Sequence, residues 1–108
     1  MIQVKTSKPL TFYIDSPSVR VFQEFAGESL DNLDEYEAWD IVTILCQAVS
    51  LANLNDEKAI DIPNALLMLG TDLQVSPHAK NCLKALDGFP IDLVSGLMVG
   101  ILSVAFEV

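Results

Sequence analysis

Basic residues are scarce in this 108-residue chain. Lys and Arg together number six against fifteen Asp and Glu, which gives a formal net charge of −9. A surface of this sign repels nucleic-acid phosphates and anionic lipid headgroups. We therefore expect no direct binding to nucleic acid and none to a membrane surface, whereas a partner protein with a basic surface fits the charge.

Long apolar runs are missing as well. The most apolar stretch without a charged residue, 93–106, has fourteen residues, whereas a transmembrane helix needs about 20. Residues 1–8 contain no apolar run suited to a signal peptide. The sequence therefore predicts a cytoplasmic protein without a membrane span.

Histidine and cysteine are too few for the common metal and nucleophile sites. The chain has one His and two Cys, whereas a zinc site usually has four ligands. His78 and Cys82 lie four residues apart, on one face of a predicted helix, and only this pair suggests an enzyme. No glycine-rich phosphate loop or nucleophile elbow is present. We expect no catalytic residues, metal or cofactor, and reduced thiols at Cys46 and Cys82.

Apolar residues are abundant, and capping residues divide them into helices. Ser16-Pro17 and Ser76-Pro77 each place a Ser at the N-cap and a Pro at the first helical position. Asn32 is the predicted cap of a central helix that is apolar around most of its circumference. A strand over 19–25 is the alternative to the first helix. The predicted helices cover 17–26, 33–54, 64–69, 77–86 and 91–106.

The N-terminal residues alternate between apolar and polar. This alternation predicts two short strands, 2–5 and 10–14, with a turn at 7–9. A two-stranded hairpin is marginal by itself and must pack on other elements. The sequence thus predicts one domain over 1–108 with an α+β fold, mainly α, in which a short N-terminal β-hairpin packs on a bundle of four to five helices.

Acidic residues concentrate in one segment. Between Val21 and Glu57 there is no Lys or Arg. One interpretation is a solvated acidic surface with Trp39 in the core and Tyr36 at its rim. The other is a docking surface for a basic partner, in which the aromatic pair acts as an anchor. The candidate partner-binding residues are Glu28, Asp31, Asp34, Glu35, Tyr36, Glu37, Trp39 and Asp40.

A second candidate surface lies on the last predicted helix. Gly96 and Gly100 are four residues apart and permit close approach of another element. Packing on the central helix is the default expectation. Self-association through these two residues is the alternative, so a homodimer is possible.

The order of the elements is similar to a known family. Strand-like 10–14 leads through Asp15-Ser16-Pro17-Ser18-Val19-Arg20 into a helix. An acidic linker, an apolar helix over 38–54 and a late Leu83-Lys84-Ala85-Leu86-Asp87 follow. Over about 10–106 this order resembles the small tail assembly chaperones of tailed phages. The resemblance implies a non-enzymatic protein of a bacterial or phage-infected cytoplasm that binds an aggregation-prone tail protein.

These observations favour a non-catalytic protein-binding module. The first version is an acidic assembly chaperone or adaptor that holds an apolar partner segment in a groove. The second is a small acidic inhibitor that blocks a basic groove of another macromolecule, such as a phage anti-defence protein (an anti-CRISPR, for example) or a toxin antidote. An enzyme is the third, supported only by His78 and Cys82.

Overall fold

The computed structural model describes residues 9–69 and 75–106. Within these ranges the chain forms one 3₁₀ helix, Leu10–Phe12, and five α-helices. The only β-type pairing in the described ranges is an isolated bridge between Ala59 and Pro90. The α-helices are α1 (Pro17–Ala26), α2 (Glu35–Leu54), α3 (Ile62–Leu69), α4 (Pro77–Lys84) and α5 (Ile91–Phe106).

The prediction of an N-terminal β-hairpin is wrong. Its first strand, 2–5, lies outside the described residues, and its second strand is replaced by the 3₁₀ helix. In a strand Leu10 and Phe12 would point to the same face, but Leu10 is fully buried whereas Phe12 is 59% exposed. The Leu10 amide donates to the carbonyl of Glu28 at 3.2 Å. The described part of the fold is therefore helical and not α+β.

The Ser-Pro helix starts are confirmed. Ser16 Oγ accepts from the Val19 amide at 3.2 Å, and Ser76 Oγ accepts from the Ala79 amide at 3.1 Å. The first helix has the predicted range, so the alternative strand over 19–25 is excluded. The helix α4 ends at Lys84, two residues before the predicted end, and α5 has the predicted range.

The central helix begins two residues later than predicted because Asp34, and not Asn32, is its N-cap. The Asp34 carboxylate accepts from the Glu37 amide at 2.7 Å, and the Glu37 carboxylate accepts from the Asp34 amide at 3.1 Å. These two bonds form a capping box. Asn32 instead donates its amide to the carbonyl of Ala26, which ties it to the end of α1.

The core is apolar throughout the described residues, none of which buries a polar or charged side chain. As predicted, α2 is the central helix: it packs on α3, α4 and α5, while α1 packs on α4. Burial of these side chains is the main stabilising contribution. The largest fully buried side chains include Phe22, Ile41, Ile44, Leu45, Leu83, Leu86, Leu97 and Ile101.

Candidate functional site

A cleft of about 250 Å³ opens where the start of α2 meets the end of α5. Its apolar lining includes the buried side chains of Leu30 and Ala38, and its acidic lining comes from the exposed Asp34 and Glu35. We call it the acidic cleft. Its complete lining is Leu30, Leu33, Asp34, Glu35, Ala38, Ala105 and Phe106.

An aromatic pair lies at the edge of the acidic cleft. Trp39 of α2 stacks on Phe106 of α5, with ring centroids 4.5 Å apart and an interplanar angle of 29°. Trp39 is 49% exposed, so the expectation that it belongs to the core is wrong. Tyr36, one helical turn before it, is 82% exposed. Large apolar side chains therefore extend from the cleft onto the adjoining surface.

Two of the candidate acids have structural roles. Asp34 and Glu37 form the capping box of α2, and Glu37 also accepts a 2.6 Å hydrogen bond from Ser76 Oγ at the start of α4. Substitution of either residue would disturb the fold as well as the surface charge, because a capping residue contributes about 0.5–2 kcal/mol.

Three other candidate acids have no such role, and one of them, Glu35, lines the cleft. Glu28, Asp31 and Glu35 are exposed, and in the part of the chain that the structure describes their carboxylates form no hydrogen bond or ion pair. The one ion pair found there joins Asp15 to Arg20 at 2.7 Å. The negative charges of these three acids are therefore not neutralised by the described residues of the protein itself.

The candidate acid Asp40 has a perturbed pKa. Partial burial raises the pKa of its carboxyl, and the nearby charges of Asp34 and Glu37 raise the pKa further. A carboxyl with a raised pKa binds more protons in the folded than in the unfolded chain. This contribution therefore lowers the stability of the protein as the pH rises through the raised pKa.

We expect Asp40→Asn to stabilise the protein at pH 7. Removing a like-charge contact on a helix raises the free energy of unfolding by about 0.2–0.5 kcal/mol. The gain should vanish at a pH well below 3.8, the ordinary pKa of the group, because Asp40 is then protonated in both states. Urea unfolding at several pH values measures the difference. Glu57→Gln, the same charge change at an exposed position, is the control; a lower stability of Asp40→Asn at pH 7 would contradict the prediction.

The structure places the two candidate glycines of α5 against the N-terminal turn. A Cβ atom on Gly100 would lie 2.8 Å from Leu10 Cδ1 and 3.0 Å from Tyr13 Cβ. A Cβ atom on Gly96 would lie 3.9 Å from Ile14 Cδ1, an ordinary contact. The atoms nearest to these two positions therefore belong to residues 10–14 of the same chain.

The His78–Cys82 pair lacks a reactive thiol. Cys82 is fully buried, and burial, with a smaller contribution from the charge of Glu37, raises its pKa to about 11. A thiol nucleophile or metal ligand acts as the thiolate, whereas this group is protonated at neutral pH. Within 9–69 and 75–106, no group of three or more His, Cys, Asp or Glu residues is placed to hold a metal ion.

The acidic cleft joins parts of the chain that are distant in sequence. The candidate residues Asp34 and Glu35 line it, and Trp39 lies at its edge. The sequence-based candidates did not include Leu30, Leu33, Ala38, Ala105 or Phe106. The sequence shows that these residues are apolar, but only the packing of α5 on α2 brings Ala105 and Phe106 to the acidic segment.

Among the residues described, no helix has both the length and the apolar character needed to cross a membrane. Comparison of the chain with protein-family models, curated proteins and solved structures gives no match.

Proposed function

We propose that this protein is a non-catalytic protein-binding module, an assembly chaperone or adaptor of phage or bacterial type, which holds a segment of a partner protein in the acidic cleft. The observation that carries the proposal is the combination at one place of an apolar lining, exposed aromatic side chains and a carboxylate, that of Glu35, which has no partner among the described residues. Apolar burial supplies affinity, and aromatic residues are frequent anchors of protein interfaces.

The dimensions of the cleft support a protein segment as the occupant. Sites for small molecules usually enclose about 300–1,000 Å³, whereas the acidic cleft measures about 250 Å³ and is open to the side. Trp39 and Tyr36 continue the contact surface beyond it. A segment can fill the cleft with one side chain and cover the aromatic pair with the next, and the surrounding charge keeps such a complex soluble.

A second candidate function is inhibition of a macromolecule that has a basic groove. The exposed Glu28, Asp31 and Glu35 favour it, because no described residue of the chain pairs with their carboxylates, which could pair with Lys or Arg side chains of a partner. Binding of this kind weakens steeply with salt. Binding through the apolar lining is much less sensitive to salt.

Affinity purification from the native cell with three forms of the protein tests the proposal. The cleft variant carries Glu28→Gln, Asp31→Asn and Glu35→Gln together with Tyr36→Ala and Trp39→Ala. The control variant carries Asp56→Asn, Glu57→Gln and Asp92→Asn, which make the same change in net charge at exposed positions at the opposite ends of α2 and α5. We expect mass spectrometry to identify a protein that co-purifies with the wild type and the control variant but is lost, at least about tenfold, from the cleft variant.

Two further measurements separate the alternatives. Recovery of the same protein with all three forms would contradict the proposal. Washing the wild-type complex at increasing salt distinguishes the two functions. The inhibitor should release its partner completely at moderate ionic strength, whereas the chaperone should keep the part of its affinity that comes from apolar burial. Circular dichroism of each variant confirms that its helices are intact.

A further inference from the structure

We infer that the segment bound by the acidic cleft is cationic: one large apolar side chain enters the cleft, and Lys or Arg residues on either side of it face the surrounding acids. This assignment of the occupant rests on the proposed function, and it goes beyond it by stating the chemistry of the partner. Three observations carry it, namely the volume of the cleft, the charge around it and the exposed ring of Trp39.

The volume limits the occupant to one large side chain. An apolar cavity of about 150 Å³ accommodates a benzene ring, and the acidic cleft measures about 250 Å³. It therefore has room for one aromatic or long aliphatic side chain, but not for a whole helical face. The buried Leu30 and Ala38 supply apolar contacts for that side chain, and Phe106 supplies an aromatic one.

The charge selects the residues next to that side chain. Asp34 and Glu35 line the cleft, and Glu28 and Asp31 precede them in the sequence; no described residue forms an ion pair with any of the four carboxylates. At physiological salt, charges within about 8 Å of each other are not fully screened. Lys or Arg residues that flank the apolar side chain would bring their charges within this range. Acidic flanking residues would be repelled.

Trp39 adds a preference for arginine. One face of its ring stacks on Phe106, and about half of the side chain is exposed. An arginine guanidinium stacks on an exposed indole more favourably than a compact, strongly hydrated ammonium group does. The acids near the ring strengthen the attraction for a cation. A flanking Arg can therefore contact both the ring and a carboxylate.

A second copy of this chain fits the cleft poorly. In the described residues, the two cations best spaced to flank an apolar side chain are Lys80 and Lys84, one helical turn apart on α4. The one large apolar side chain of that helix, Leu83, is fully buried and cannot enter the cleft of a neighbour. Two copies also carry a formal charge of −9 each and repel each other.

Three synthetic peptides with blocked ends test the inference. The first is Gly-Ser-Arg-Arg-Gly-Trp-Gly-Arg-Arg-Ser-Gly. The second has Glu in place of every Arg, and the third has Gly in place of Trp. Titration into the ¹⁵N-labelled full chain, followed by amide and indole chemical shifts, gives both the Kd and the location of binding. We expect the first peptide to shift the Trp39 indole signal and the amides of the cleft, and the other two to bind at least about tenfold more weakly.

Matched variants separate local attraction from net charge. The triple variant Glu28→Gln, Asp31→Asn and Glu35→Gln should bind the first peptide about three- to tenfold more weakly. The variant Asp56→Asn, Glu57→Gln and Asp92→Asn should leave its affinity within about twofold, since these acids lie at the opposite ends of α2 and α5 from the cleft. Equal loss in both variants would mean attraction to the whole acidic surface and would overturn the inference.

The remaining outcomes are equally decisive. Binding of the Arg and the Glu peptides to the cleft with similar affinity would overturn the cationic specificity while leaving a protein-binding cleft in place. Shifts confined to another surface, or no shifts at millimolar peptide, would also overturn the inference. The proposed function has its own test, since a partner recovered from the cell through the cleft can be acidic, neutral or basic around its contact residue.

Discussion

Replacing Leu10 with Ala is expected to lower the free energy of unfolding by about 2–5 kcal/mol. Leu10 is fully buried although it belongs to a single 3₁₀ turn near the start of the described chain. Its side chain lies against Gly100 of α5, and its amide is bonded to Glu28. Removing the side chain leaves a cavity between the N-terminal turn and α5 that the surrounding helices cannot close completely.

Urea unfolding followed by circular dichroism measures this loss. Leu54→Ala is the matched control, because Leu54 is 81% exposed and its truncation should change stability by less than about 0.5 kcal/mol. Phe12→Ala distinguishes the turn from the hairpin that the sequence predicts. In a hairpin Leu10 and Phe12 would lie on one face and contribute similarly, so equal losses from the two substitutions would contradict the observed arrangement.

Replacing Gly100 with Leu is expected to destabilise the protein by about 1–3 kcal/mol. A Cβ atom there would already approach Leu10 Cδ1 to 2.8 Å and Tyr13 Cβ to 3.0 Å. The Leu10 contact is to the end of a flexible side chain, but the Tyr13 contact is close to the backbone. The larger side chain must therefore displace the N-terminal turn from α5.

Gly96→Ala is the companion substitution, with the opposite expected sign. The new Cβ atom would make an ordinary 3.9 Å contact with Ile14 Cδ1, and Ala is favoured over Gly inside a helix by about 0.8–1.0 kcal/mol. Thermal unfolding with light scattering measures stability and mass together. If Gly100→Leu changed the oligomeric state but not the stability of the monomer, this face would be a surface between copies and not an internal contact.

Residues 10–14 show why a short apolar pattern is ambiguous. Leu10, Phe12 and Ile14 alternate as in a strand, while Leu10 and Ile14 are also four residues apart, as on a helical turn. Five residues cannot distinguish these periods. The choice depends on Glu28, which accepts the Leu10 amide, and on Gly100, which leaves room for the turn. Both lie far from the segment in the sequence.

The candidate site was predictable in its charge but not in its shape. The missing bases between 21 and 57 indicated an acidic surface, and that surface lies beside the acidic cleft. The sequence did not separate acids that cap a helix from acids that are free. Asn32 and Asp34 are both acceptable caps, and the bond between Asn32 and Ala26 decides between them.

The sequence by itself determined most of the helices and the sign of the surface charge. Helix ends depend on capping residues and prolines within a few positions, and the sign of the charge depends on composition alone. Tertiary structure alone decided the form of the N-terminal segment, the exposure of Trp39 and the existence of the acidic cleft. Each of these depends on contact between α5 and residues 60 or more positions earlier. Such contacts form only when the whole core packs, and no local pattern specifies them.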